Sequence, residues 1–327
     1  MSALESNDKE PVLKAEHIKK RFNLEAGFFA NYGRFVYAVN DVSFSIGKNQ
    51  TYGLVGESGC GKTTTARMIV GMYKTDSGVI SYNGKDTAKF SRAELKDYRE
   101  KVKYIFQDPA RSLNPRMNIY QVLTTGLRWS AHWPGKQTAR EQAAAILEET
   151  GLSADDLYRR PAEFSGGQRQ RISIARALIM QPEVLICDEV VSALDVSIQG
   201  QILNLLQDLR EKRKLSYLFI THDLKIACYF CDRIGVMYRG CLMEEADAAD
   251  LYKTAAHPYT QLLFESAQSF GTKTSGEVKT NIEELSGCPF AHRCPRATER
   301  CKTEMPPLAD ISKTDRPHLI RCFEAAE

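Results

Sequence analysis

The sequence predicts an α/β fold: a largely parallel sheet with helices on both faces, an all-helical insertion, and a small Cys-rich lobe at the end. Three observations lead there. Short apolar runs of strand character alternate with helical patterns, the arrangement that builds parallel sheets. Between Asp108 and Met180 helical patterns dominate. Four of the nine cysteines fall after residue 287, where too few apolar side chains remain to form a core without a staple.

Each element can be justified in order. Residues 1–11 are polar and read as a flexible tail. Val12 opens a short strand that runs into Lys19-Lys20-Arg21-Phe22. Asn23 to Val36, with Phe28, Phe29, Tyr32 and Phe35, has no clean period and reads as a loop or insertion. Ala38 to Ile46 alternates through Val39, Val42, Phe44 and Ile46, as a half-buried strand does. Thr51 to Val55 is an apolar strand entering a glycine-rich turn, and Thr63 to Met72 is helical in pattern. Val79 to Tyr82 followed by Asn83-Gly84 signals a hairpin. Val102 to Phe106 is a further strand, and Thr138 to Thr150 an amphipathic helix stopped by Gly151. Strand runs return at Val184–Cys187, Tyr217–Ile220 and Ile234–Tyr238, and Ser269 to Ser286 reads as a polar linker. The expected division is a tail at 1–11, a main domain at 12–250 with its helical subdomain at about 109–180, an extension and linker at 251–287, and the Cys-rich lobe at 288–327.

Composition sets outer limits. The 327 residues allow one large domain and a smaller one, at roughly 100–200 residues each. Hydrophobic residues at 43% and charged residues at 26% exclude wholesale disorder. No run reaches the roughly 18 apolar residues that a membrane-spanning helix needs, and the polar, acidic start does not read as a secretory signal. The net charge of +3, without a long basic run, gives no argument for nucleic acid.

Three motifs carry chemistry. Gly56-Glu57-Ser58-Gly59-Cys60-Gly61-Lys62-Thr63 fits G-x-x-x-x-G-K-[ST] between a predicted strand and a predicted helix. Its glycines let backbone N–H groups turn toward phosphate oxygens at a helix start. Lys62 then reaches the β- and γ-phosphates and the Thr63 hydroxyl ligates Mg²⁺. The competing reading is a plain glycine turn. Val184 to Glu189 is an apolar strand ending in two carboxylates. Beside a phosphate loop, Asp188 would hold Mg²⁺ and Glu189 would polarise an attacking water. Ser165-Gly166-Gly167-Gln168 opens a helix and bares N–H groups, either as an ordinary N-cap or as a second anion site. One nucleotide does not need two such sites in one chain, so the second would serve a nucleotide held by another chain.

In this order and spacing the three motifs resemble the nucleotide-binding subunit of ATP-binding-cassette (ABC) transporters, over residues 12 to about 250. The resemblance implies a P-loop NTPase core with an antiparallel β-subdomain and an inserted helical subdomain. It implies ATP binding by Gly56, Ser58, Gly59, Cys60, Gly61, Lys62, Thr63 and Thr64, with Mg²⁺ on Thr63, Gln107 and Asp188. Ser165 to Gln168 matches the family signature, Gln107 its Q-loop glutamine, Ser192-Ala193-Leu194-Asp195 its D-loop and His222 its switch histidine. Phe22 sits where a family aromatic stacks on adenine, with Tyr37 the alternative. Val190 departs from the Pro or small residue usual after the catalytic Glu and leaves the geometry of that turn open.

Gln107-Asp108-Pro109, Ser112 to Met117, the run Ser192 to Leu205, and His257-Pro258-Tyr259-Thr260 resemble the oligopeptide/dipeptide/nickel importer branch. That resemblance implies an ATPase powering peptide import from the cytoplasmic face of the inner membrane as a peripheral subunit. It implies a second ATPase chain in a heterodimer, two permease subunits and an extracytoplasmic substrate-binding protein. Nickel or another small solute is the alternative cargo. A soluble, non-transport ABC ATPase is the remaining rival, and it would need a coiled-coil insertion or a second cassette, neither of which is visible.

Cys288, Cys294, Cys301 and Cys322 are spaced C-x5-C-x6-C-x20-C and match the tail of that branch, where the resemblance implies a [4Fe–4S] cluster. All-thiolate ligation is what a cubane takes. Zinc is the alternative, though it generally prefers ligand pairs two to four residues apart. Unligated thiols are a third reading. His292 and His318 read as surface residues. Cys60, next to a helix start and Lys62, is expected to have a lowered thiol pKa. Cys228 and Cys231 read as small hydrophobes on a helix face.

Overall fold

A computed structural model describes residues 10–23, 35–130, 132–268, 285–312 and 316–325. The expected tail before Glu10, the aromatic residues Phe28, Phe29 and Tyr32, and the linker from Ser269 to 284 lie outside the described residues. The strands are β1 (Leu13–Asn23), β2 (Phe35–Ile46), β3 (Thr51–Val55), β4 (Ser77–Tyr82), β5 (Lys85–Asp86), β6 (Val102–Ile105), β7 (Val184–Asp188), β8 (Ser216–Thr221), β9 (Arg233–Tyr238), β10 (Cys241–Asp247), β11 (Ala309–Asp310) and β12 (Leu319–Ile320). The chain divides into two compact units, Met1–Lys89 with Leu218–Glu327, and Phe90–Tyr217.

In the first unit, β2-β1-β4-β5 form an antiparallel sheet. Leu13 pairs with Ile46 and Ala15 with Phe44, burying alternate side chains as the sequence pattern requires. β1 is longer than its apolar pattern suggests because it bulges at His17, whose φ is 51°. Gly78 on the neighbouring strand accommodates that bulge, since a Cβ there would lie 2.3 Å from the His17 carbonyl oxygen. Asn83 and Gly84 both take positive φ, as a two-residue hairpin turn demands.

The second sheet of this unit runs β11-β12-β10-β9-β3-β8. β3 and β9 are parallel, with Gly53 opposite Ile234 and Val55 opposite Val236. Every residue of β3 is buried, which is why it reads as an unbroken apolar run rather than an alternation. The helix Lys62–Ile69 follows β3 through the glycine loop.

The Cys-rich residues at the end of the chain add to the larger sheet. Residues 285–325 supply the short helix Glu299–Thr303 and the strands β11 and β12, and β12 pairs with β10 at Glu244–Ile320 and Glu245–Leu319. Arg321 is buried, and its guanidinium donates to the carbonyl oxygens of Leu242 (2.9 Å) and Pro306 (3.1 Å). His318 is likewise half-buried rather than on the surface, with Nε2 2.7 Å from Oε1 of the buried Glu244. The tail extends the sheet because it cannot bury enough apolar surface by itself.

In the second unit β6 and β7 are parallel, Val102 opposite Val184 and Ile105 opposite Cys187. Between them lie the helices Pro109–Ser112, Ile119–Arg128, Lys136–Glu149 and Gly166–Leu178. Their starts are written in the sequence: Asp108, Asn118 and Ser165 each accept a hydrogen bond from the first turn. The helix Val196–Arg213 follows β7, and Arg213 pairs with Glu149 through both guanidinium and carboxylate groups.

Candidate active site

The phosphate-type loop lies wholly in the first unit. Only glycine fits at two of its positions. A Cβ on Gly56 would stand 2.2 Å from the Met237 carbonyl oxygen, and one on Gly61, at φ 110°, 2.3 Å from the Ala38 carbonyl oxygen. The loop is tied to its surroundings by the Gly240 N–H donating to the Cys60 carbonyl at 2.8 Å. Lys62 is buried and curls back over the loop, donating to the carbonyl oxygens of Gly56 at 2.6 Å and Glu57 at 3.0 Å. Ser58 and Gly59 are exposed, and Thr63 and Thr64 are half-buried on the first turn of the helix.

Cys60 departs from expectation. Its side chain is fully buried, and that burial pushes the thiol up despite Lys62 Nζ at 3.8 Å from its sulfur. Desolvation of a thiolate outweighs one neighbouring ammonium and the helix start, so this thiol is a packed spacer.

His222 follows β8, the neighbour of β3, and is exposed. Asp223 after it caps the helix Leu224–Phe230 by accepting from the N–H groups of Lys225 and Ile226. Phe22 pairs across the sheet with Val36, and its ring stands edge-on to Tyr73 at 5.3 Å. Cys231 is buried within contact of Gly53, and Cys228 is half-buried with its thiol pushed up to about 11 by burial.

The second unit gathers another set. β7 ends in the buried Asp188, which accepts a short hydrogen bond from the Tyr104 hydroxyl on β6. Tyr104 carried no signal in the sequence beyond strand alternation. The next residue, Glu189, takes a left-handed backbone with φ 48°, and its Oε2 accepts from Gln107 Nε2 at 2.8 Å. Val190 and Val191 are buried, and the Ser192 N–H and hydroxyl both return to the Glu189 carbonyl. The position after Glu189 faces the core, which accounts for a branched apolar residue there. Asp195 is exposed at the start of the helix Val196–Arg213 and makes no capping bond.

Ser165 heads the helix Gly166–Leu178 with a reciprocal cap: its hydroxyl accepts from the Gln168 N–H, and Gln168 Oε1 accepts from the Ser165 N–H at 2.9 Å. Ser165 is exposed, and a Cβ on Gly167 would meet the Ile198 side chain at 2.7 Å.

Cys288, Cys294, Cys301 and Cys322 line one small cavity of the first unit together with Phe290 and Pro306. Burial pushes the Cys288 thiol up to about 11. Among the described residues no group of three His, Cys, Asp or Glu side chains is arranged to hold a metal ion.

Comparison with known proteins adds independent findings. Residues 39–192 match the ABC transporter family model, and residues 243–301 match that of the oligopeptide/dipeptide transporter C-terminal region. The oligopeptide transport ATP-binding protein AppF of Bacillus subtilis is 39% identical over 325 residues, spanning 96% of this chain and 98% of its own length. The oligopeptide transport ATP-binding protein OppF of Haemophilus influenzae is 39% identical over 331 residues, spanning 98% of each. Among solved structures, the ATP-binding cassette MJ0796 bound to ADP and Pi gives a TM-score of 0.62 at 26% identity, covering 72% of this chain and 98% of that one. The cbiO1 protein of Clostridium perfringens gives 0.63 at 24% identity, covering 75% and 91%.

Proposed function

The chain belongs to the ABC transporter family, in its oligopeptide/dipeptide branch, as an ATPase subunit that powers peptide import, and from that premise we propose how its residues divide the work. The P-loop fold expected from the sequence is the one the chain shares with the solved ATP-binding cassette MJ0796. The names of AppF and OppF favour peptides over nickel or another solute, and over a non-transport ATPase.

The observation that carries the site assignment is Lys62. A buried ammonium, satisfied by two carbonyls of its own loop, is held where a triphosphate would draw it away. Gly56 to Thr64 hold the nucleotide phosphates, and Phe22 or Tyr37 the adenine. Thr63, Gln107 and Asp188 carry the hard oxygen donors that would hold Mg²⁺, which would supply positive charge against the phosphates. Glu189 orients and deprotonates the attacking water, and Gln107 holds its carboxylate in place. His222 contacts the γ-phosphate. Ser165, Gly166, Gly167 and Gln168, with Asp195, complete the site on a second ATPase chain, so that ATP closes the pair and hydrolysis reopens it.

Two permease subunits and an external substrate-binding protein complete the transporter. A mostly apolar cavity of about 430 Å³ in the second unit, lined by Tyr104, Phe106, Met117, Leu123 and Met180, supports docking of a permease segment there. None of the described helices is long and apolar enough to cross a membrane, which fits a peripheral place on the cytoplasmic face. A [4Fe–4S] cluster on Cys288, Cys294, Cys301 and Cys322, with Zn²⁺ as the alternative, is supported by their shared cavity and all-thiolate chemistry. The thiols are not set as a single-ion site, so the case for it is the gathering of four sulfurs rather than a formed coordination sphere.

Glu189→Gln in the assembled transporter tests the central assignment. ATP binding should persist while turnover falls about 10²–10⁴-fold. Turnover within a few-fold of wild type would overturn the role of Glu189.

A further inference from the structure

The phosphate loop has a second residue that its motif does not specify. Every polar group of Glu57 is engaged. Its N–H donates to the Tyr259 hydroxyl at 3.1 Å, and its carbonyl accepts from Lys62. Its carboxylate is gripped by both terminal nitrogens of Arg293, NH1 to Oε2 at 2.8 Å and NH2 to Oε1 at 3.0 Å. Both side chains are about one-fifth exposed, so water screens the pair only in part. Arg293 is held in turn. Its guanidinium lies 5.7 Å from the Tyr238 ring centroid and 5.8 Å from that of Phe290, and its own N–H donates to the Phe290 carbonyl. Tyr238, Tyr259 and Phe290 pack ring against ring within 5.4 Å of one another and are buried.

We infer that Arg293, carried by the Cys-rich tail, is a positioning residue for the nucleotide loop: it pins Glu57 and cancels a carboxylate that would otherwise repel the phosphates. Two physical terms act together. A fork-on-fork pair fixes direction as well as distance, so the start of the loop is set before nucleotide arrives. An unpaired negative charge inside a loop built to take a polyanion opposes binding over several ångströms. The tail thereby contributes to nucleotide affinity while touching no nucleotide atom.

This inference rests on the reading of residues 56–63 as the ATP site, and the experiment separates the two. MgATP binding is measured on the full chain, and KM and kcat on the assembled transporter, for Arg293→Ala, Arg293→Lys, Glu57→Gln, the double variant Glu57→Gln/Arg293→Ala, and Lys62→Ala. Arg293→Ala should raise Kd and KM for MgATP about tenfold with kcat within about twofold, and Arg293→Lys should fall between it and wild type. Glu57→Gln removes the charge that needs cancelling, so in that background Arg293→Ala should cost less than about twofold. An unchanged KM in Arg293→Ala, or an equal cost of Arg293→Ala with and without Glu57→Gln, would overturn the inference. Should Arg293→Ala fail to fold, Arg293→Lys in the two backgrounds reads the same coupling, and equal effects again overturn it. If Lys62→Ala also left MgATP binding intact, the ATP-site reading itself would fall. If Lys62→Ala abolished binding and Arg293→Ala changed nothing, the inference alone would fall.

Discussion

The nucleotide loop and the C-terminal tail both depend on glycine, yet they hold their shapes with different balances of near and distant bonds. Within the loop most bonds run between neighbours in sequence: Lys62 on the Gly56 and Glu57 carbonyls, the Thr65 hydroxyl on the Gly61 carbonyl, and the Cys60 N–H on the Glu57 carbonyl, with Gly240, Tyr259 and Arg293 anchoring it from afar. The tail is closed by distant partners: Arg321 on Leu242, His318 on Glu244 and Arg293 on Glu57. A shape made from local bonds recurs as a motif wherever its residues recur. A shape made from long-range bonds exists only after the sheet beneath it has formed.

The sharpest way to probe the difference is to block one glycine in each region. Gly56→Ala sets a methyl 2.2 Å from the Met237 carbonyl oxygen, and Gly287→Ala sets one 2.5 Å from the Cys301 carbonyl oxygen. The first should weaken MgATP binding about a hundredfold or more, because the loop's N–H groups lose their aim. The second should lower stability by about 1–3 kcal/mol through overpacking and leave MgATP affinity within about threefold. Thermal melts and nucleotide titrations of the two variants read this directly. Equal losses of binding would erase the distinction.

The tail's surroundings also carry a pH response. His257 packs beside the tail, is buried, and is held down to about 4 by desolvation. Its folded-state pKa lies below the unfolded value near 6.5, so the unfolded chain binds the extra proton between those values. Its contribution is full above about pH 6.5 and is lost as pH falls toward 4. The loss should approach roughly 3 kcal/mol. Denaturant titrations between those limits should show wild type weakening more steeply than His257→Gln. Parallel curves would remove His257 from the acid response.

The smallest effect expected concerns Cys60. Because burial raises its thiol, alkylation of the folded chain at neutral pH should run at least about tenfold slower than in the unfolded chain. Adding MgATP should change that rate little, since the thiol is already covered. Fast labelling that nucleotide suppresses would show that the loop opens far more than its local bonds suggest.

The same contrast explains what the sequence disclosed. The glycine loop, the acidic end of β7 and the Ser165 helix start were legible because each is local and each obeys a stereochemical rule. Asn83-Gly84 gave its hairpin for the same reason. The tail's pairing with the larger sheet is not legible, because β12 has two residues and no periodicity of its own, and its place is set by β10. Tyr104 on Asp188 and Arg293 on Glu57 were invisible, since partners 84 and 236 residues apart leave no spacing to read. Cys60 was misread because its neighbours in sequence favour a thiolate while its neighbours in space exclude water.

Glu189 has one further consequence. Its φ of 48° is a conformation that glycine or asparagine adopts readily and a glutamate resists, at a cost of about 1–2 kcal/mol. The role proposed for it therefore sits on a backbone that favours its own replacement. Among random substitutions at this codon, some should give a chain that is more robust and chemically silent. Such a chain would be invisible to any screen for folding or expression. Drift toward that state is held back by purifying selection on transport alone, so a copy of this gene released from that demand would be expected to lose its chemistry here before it lost its fold.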